Sequence, residues 1–253
     1  MAKKYQAPIV KKAFTILDAI SQSSQGLRIS EISSRLDISK STVHGITAAL
    51  EDQGAIIRDI VSKRYTIGPT LLELGKAAYA RIDFKNIARP YMEELMEGCQ
   101  ESVFLGVRNG DSVTVIDIVE SRKDFKISSP IGTALPLMAG AVGKLFLSRM
   151  DNGDLEKYLH ANPLVRYTRN TIVDQDQYME ELGRVSSSGI AFDDEEYLSG
   201  VRAVAAPIKK YGAYIPALWV VGFTVSMSDK KIPAIKAQTL EAANKISRRL
   251  GLR

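Results

Sequence analysis

The sequence predicts a two-domain protein. The first domain is a helix-turn-helix followed by a β-wing, mainly α. A linker helix leads to a second, α+β domain with an antiparallel sheet. Three observations predict this. Residues 29–44 carry two short apolar-periodic helices separated by a tight turn. The hydrophobic period changes from helical to two at Ser102, which marks a switch from helix to strand. At 253 residues the chain is long enough for two cores. The expected boundaries are 1–69 for the first domain, 70–88 for the linker and 89–253 for the second.

Residues 10–21 read as a first helix with Val10, Phe14, Leu17 and Ile20 on one face. Ile29, Ile32 and Leu36 mark a short second helix, and Asp37-Ile38 the turn after it. Ser39 then starts a third helix, with Val43, Ile46, Ala49 and Leu50 inward. Gln53-Gly54 ends it, since glycine takes the left-handed conformation a helix end needs. Residues 55–58 and 64–67 read as two short strands with a tip between them. Gly68-Pro69 closes this wing, and residues 70–81 form a connector helix. Asp83 can cap a helix running toward Cys99, with a break or kink expected near Pro90.

Farther on, Asn109-Gly110 sits between two alternating apolar runs, a strong hairpin signal. Residues 125–131 read as a third strand. Residues 141–150, 154–160 and 175–187 read as helices. Residues 201–209 and 213–227 read as strands joined at Tyr211-Gly212, and 232–250 as a closing helix. There is no internal repeat and no low-complexity segment.

A helix whose first turn is Ser39-Lys40-Ser41-Thr42 suits the major groove of double-stranded DNA. The expected contacts are Lys40, Ser41, Thr42, His44 and Thr47 from this helix and Arg58, Lys63 and Arg64 from the wing. Basic wing residues there can clamp phosphates. Charge agrees: residues 1–80 hold 11 Lys and Arg against 7 Asp and Glu, the remainder 23 against 22. The excess lies where nucleic acid is expected.

No apolar run reaches the roughly 20 residues that span a bilayer; residues 216–225 come nearest. The first six residues have no apolar core, so no signal peptide is expected. A lone cysteine, Cys99, leaves no intrachain disulfide. A cytoplasmic protein without membrane contact is expected.

Six segments in order resemble the IclR family of bacterial transcriptional regulators. They are Lys40-Ser41-Thr42-Val43-His44; Tyr65-Thr66-Ile67-Gly68 with Leu71-Leu72-Glu73-Leu74-Gly75; Ala88-Arg89-Pro90 with Glu93-Glu94-Leu95; Gly132-Thr133-Ala134-Leu135-Pro136-Leu137; Ala139-Gly140-Ala141-Val142-Gly143-Lys144; and Gly189-Ile190-Ala191-Phe192-Asp193-Asp194-Glu195-Glu196 with Gly200-Val201-Arg202. The resemblance implies a dimer or dimer of dimers, a GAF-like second domain that binds a small organic or aromatic acid, and action through an operator or RNA polymerase. Two departures stand out. Gly45 replaces a basic residue common in the recognition helix, and Ala203 replaces a cysteine that some members place against the ligand.

The effector site is expected from Leu137, Met138, Ala141, Val142, Asp193, Ala203, Thr224 and Ser226. Trp219 and Phe223 are further candidate walls or plain core. Amides at a helix start near Ala141 and Val142 would attract a carboxylate. Asp193, Thr224 and Ser226 would supply hydrogen bonds. No cofactor, metal or catalytic residue is expected. Gly140 to Lys144 is too short for a phosphate loop, and Leu145 follows the lysine. Two alternatives remain: a DNA-binding scaffold without an effector, and an enzyme. The second is disfavoured because His44, His160 and Cys99 lack matched partners in sequence.

Overall fold

The computed structural model describes residues 7–251. It divides into two compact units, Met1–Ile82 and Asp83–Arg253.

In the first unit, α1 spans Pro8–Ser21, α2 Ile29–Leu36 and α3 Lys40–Asp52. The α1 face in the core is Ala13, Ile16, Leu17 and Ile20. The expected face shared only Leu17 and Ile20 with it. Val10 and Phe14 are instead 51% and 69% exposed, beside an exposed Ile9. The core of α1, α2 and α3 is too small to cover the first turns of α1. Between α2 and α3, Asp37 takes φ +51°, a conformation Asp tolerates better than most side chains. Ser39 caps α3 by accepting from the Thr42 amide at 3.3 Å.

The wing follows as β1 (Ile56–Arg58) and β2 (Tyr65–Ile67), antiparallel with Ile57 opposite Thr66. Leu27 bridges Tyr65 from the other side. Buried Ile56 and Tyr65 tie the wing to the helical core. Thr70 donates to the Gln53 carbonyl at 2.9 Å, fixing the start of α4 (Pro69–Ala80) against the end of α3.

The second unit opens with α5 (Phe84–Cys99). It runs unbroken through Pro90, contrary to the expected interruption. Ala88 and Met92 are fully buried on either side of the proline, and that packing holds the turn where one hydrogen bond is missing. Asp83 makes no side-chain cap. The strands are β3 (Ser102–Asn109), β4 (Ser112–Val119), β5 (Ala134–Pro136), β6 (Ala191–Asp194), β7 (Val201–Pro207) and β8 (Pro216–Phe223). They form one antiparallel sheet in the order β5-β4-β3-β8-β7-β6. Helices α5 and α9 (Ile232–Gly251) pack on one face, and α6 (Gly140–Leu147) on the other. Helices α7 (Asn152–Ala161) and α8 (Gln175–Ser188) add Leu155, Leu159, Tyr178, Leu182 and Val185 to the core around α6.

Three strand expectations change. Residues 125–131 are irregular: Phe125 is 84% exposed and Ile131 50%. The backbone rejoins the ladder only at Gly132 and Thr133, which bond to Val115, so the edge strand is β5. Asn109 pairs with Ser112, which moves the hairpin tip to Gly110-Asp111. Strand β6, unforeseen, lies within the family-like segment 189–196. Among the described residues no helix is long and apolar enough to cross a membrane.

Candidate functional site

The first unit presents the N-terminal turn of α3. Lys40, Ser41 and His44 are exposed there, and Thr42 is half-buried. Thr47 does not join them. It is fully buried, and its hydroxyl donates to the Val43 carbonyl at 2.9 Å. One hundred degrees per residue carries position 47 onto the Val43–Ile46 side of the helix. Thr47 is therefore corrected from groove contact to core.

Arg64 is also reassigned. Its guanidinium grips both carboxylate oxygens of Glu31 at 2.8 and 2.9 Å and the Gly26 carbonyl at 2.8 Å. Glu31 accepts in addition from the Arg28 amide at the start of α2. That hydrogen bond leads the causes that hold its carboxyl below the usual range. Arg64 thus braces the wing against α2. Arg58 is exposed with its guanidinium 5.7 Å from the Tyr65 ring centre. Lys63 is exposed at the wing tip.

The second unit holds a cavity of about 270 Å³ between the sheet and the start of α6. Its walls include Phe104, Val115, Leu135, Val142, Ala203, Trp219 and Val221. Trp219 stacks on Phe104 with ring centres 5.6 Å apart, so it serves core and cavity together. The polar side chains at the cavity are Ser128, Ser129, Asp193 and Tyr197. Among the described residues no Lys, Arg or His lines it.

Of the expected effector residues, the structure brings Ala141, Val142, Asp193 and Ala203 to this cavity. Four others lie elsewhere. Leu137 is fully buried in the core. Met138 faces a separate small void beside Tyr178. Thr224 and Ser226 sit in a turn beyond β8, where the Ser226 hydroxyl donates to the Phe223 carbonyl. The end of β8 at Phe223 explains the last two: Trp219 and Val221 face the cavity from within the strand, while Thr224 and Ser226 lie past its last residue. Phe223 does not line it either. The sequence reading missed Tyr197, Ser128 and Ser129. Their segments carry no periodic signal, and only the paths of β6 and of the loop before β5 bring them in.

Asp193 dominates the polar end. Its Oδ1 accepts from the Glu196 amide at 2.6 Å. Gly140 has φ +64°, and a Cβ there would stand 2.9 Å from Asp193 Oδ2. Glycine is thus required both by the backbone and by the carboxylate. Burial is the main cause that pushes the Asp193 carboxyl up to about 6.

Behind it lies Lys144, 2% exposed, bonded to Glu181 at 3.1 Å, Glu196 at 2.6 Å and the Phe192 carbonyl. One ammonium is shared by two carboxylates, with Asp193 adjacent. Burial raises Glu196. At Glu181 burial also pushes upward, but Lys144 and Arg184 outweigh it and the net direction is down. Arg184 adds a more exposed cation on Glu181 at 3.0 Å, so among the three acids it is Asp193 and Glu196 that burial pushes toward holding a proton. Among the described residues no cluster of His, Cys, Asp and Glu suits a metal ion.

Comparisons with known proteins agree with this architecture. The model for the IclR helix-turn-helix domain matches residues 9–59, and that for the bacterial transcriptional regulator IclR C-terminal domain matches residues 76–248. The HTH-type transcriptional regulator BhcR of Paracoccus denitrificans is 35% identical over 237 residues, covering 93% of this chain and 85% of its own. The crystal structure of the Thermotoga maritima IclR is 30% identical, covers 96% of this chain and 98% of its own, and superposes with a TM-score of 0.66. An IclR homologue from Microbacterium hydrocarbonoxydans, crystallised with 4-hydroxybenzoate, shares the fold at 19% identity and a TM-score of 0.72, with 97% and 100% covered. With both domains matched, the chain belongs to the IclR family of bacterial transcriptional regulators and is a DNA-binding regulator rather than an enzyme.

Proposed function

We propose that this regulator senses a single-ring aromatic molecule in the cavity beneath α6 and changes its grip on an operator in response. The apolar, cation-free cavity carries the reading. At about 270 Å³ it exceeds the roughly 150 Å³ in which benzene is accommodated. Two-carbon acids would leave most of its apolar wall uncovered. A hydroxyl on the ring would donate to Asp193. A carboxylate, where the effector is an acid, would lie toward Ser128 and Ser129. Setting it on the Ala141 and Val142 amides would bring it against Asp193. The Microbacterium homologue holds a ring of this kind, related to this chain by fold alone. The test is a titration of hydroxylated and unsubstituted benzoates, with acetate and glyoxylate beside them, followed by thermal shift and operator binding. Tighter response to the two-carbon acids would overturn the proposal.

On the DNA side, Lys40 and Lys63 are the proposed phosphate contacts. Each contact removed by alanine should lessen the log–log salt slope by about 0.9, counted per half-site. An unchanged slope in the K40A/K63A variant would remove both from the interface. Ser41, Thr42 and His44 are proposed to read base edges.

A symmetric dimer at minimum, or a dimer of dimers, is proposed as the working form in the cytoplasm, acting on an operator or on RNA polymerase. Helix α4 buries none of its side chains, with Leu72 and Leu74 59% and 61% exposed. Paired half-sites also suit a two-fold protein. Sedimentation at micromolar concentration should give a dimer or larger; a monomer would contradict it.

A further inference from the structure

We propose that the wing tip, Ile60-Val61, is an apolar wedge that enters the minor groove beside the major groove read by α3. These two residues are 81% and 91% exposed. Tight turns favour Gly, Asn, Asp and Pro, yet this one displays two adjacent β-branched aliphatic side chains to water.

The tip is built to hold them out. The Asp59 amide donates to the Arg64 carbonyl at 2.8 Å, and Lys63, with φ +58°, donates its amide back to the Asp59 carbonyl at 3.0 Å. The Ser62 amide donates to Asp59 Oδ1 at 2.6 Å, which turns the one carboxylate of the tip inward. The loop is then pinned to the first turn of α2. Arg28 Nε donates to the Ser62 carbonyl at 2.8 Å, and Arg64 grips Glu31 from the same strand end.

That attachment indicates the occupant. In a helix-turn-helix the first of the two helices crosses the phosphate backbone while the second lies in the major groove. A wing fastened to the start of that first helix therefore stands at the backbone edge, next to the adjoining minor groove. Lys63 and Arg58 flank the tip with positive charge and complement phosphates. Aliphatic side chains inserted between base steps unstack them and bend the duplex. Burying two such side chains would favour the complex by about tenfold or more.

The test uses a duplex selected by the wild-type protein from a randomised pool and labelled at both ends for energy transfer. The I60S/V61S variant should bind it about tenfold or more weakly and bend it less. Its salt slope should be unchanged, because no phosphate contact is lost. Melting temperature and sedimentation should also stay as in wild type, since both residues are exposed. The I60L/V61I variant should restore the bend. K63A should show the reverse pattern, a smaller salt slope with the bend retained. Wild-type affinity and bend in I60S/V61S would overturn the proposal. So would a loss of affinity accompanied by a change in sedimentation, which would make the tip a contact between copies of the chain.

Discussion

The K144M variant is expected to lose about 3–5 kcal/mol of stability in the effector-binding unit. Lys144 is the buried cation that bridges Glu181 and Glu196 beside Asp193, and it is 2% exposed; Arg184 adds a second, exposed partner for Glu181 alone. Methionine fills a similar volume but leaves Glu196, 15% exposed, without its cation and Glu181 with only the exposed Arg184, which is far costlier than losing the pair as a whole. The same change removes a donor from the Phe192 carbonyl. For a unit of this size the melting temperature should fall by roughly 10 °C. The triple variant K144M/E181L/E196L should recover much of the loss, because it removes the orphaned charges too. Calorimetry on the full chain reads both. Wild-type melting in K144M would show that the cluster contributes nothing to the fold behind the cavity.

The D193N variant is expected to be more stable than wild type at pH 7.5 when no effector is present. Burial raises the Asp193 carboxyl from its ordinary 3.8 to about 6. Between about pH 4 and 6 the folded protein therefore holds a proton that the unfolded chain has released. Stability falls as pH rises through that window, by at most about 3 kcal/mol. Asparagine keeps an acceptor for the Glu196 amide and carries no charge, so it escapes the loss. The gain should be about 1–3 kcal/mol at pH 7.5 and should vanish near pH 4. Urea melts at several pH values measure it. A difference that stays constant with pH would refute the assignment. A residue that weakens the empty protein in this way is the kind retained for ligand contact.

Much of this fold was legible because its signals are local. The turn at Asp37, the Ser39 cap and the hairpin near Gly110 depend on a few neighbouring residues, and the structure keeps them. The face of α1 was misread because Val10 and Phe14 extend the apolar stripe beyond a core too small to cover them. Thr47 looked like a polar reader, but its hydroxyl bonds back along its own helix. Arg64 looked like a phosphate clamp because its partner, Glu31, lies 33 positions away. Half of the expected effector residues reach the cavity. Ala141, Val142 and Ala203 sit on elements whose register the apolar pattern sets, whereas Asp193 lies on β6, which no apolar pattern announced. Thr224 and Ser226 failed because β8 stops at Phe223 and both fall in the turn beyond it. Tyr197 could not be found from sequence at all, since its position depends on a turn closed by Asp193 and Glu196.

The most direct test is operator affinity with and without a hydroxylated benzoate, in wild type, D193N and the cavity-filling variant A203L. The ligand should shift wild-type operator affinity in either direction by about fivefold or more. D193N should need roughly tenfold more ligand for the same shift, having lost the charge on its hydrogen-bond acceptor. A203L should not respond at any soluble concentration, while binding the operator as wild type does without ligand. Equal responses from all three proteins would contradict the account and place the sensory site outside this cavity.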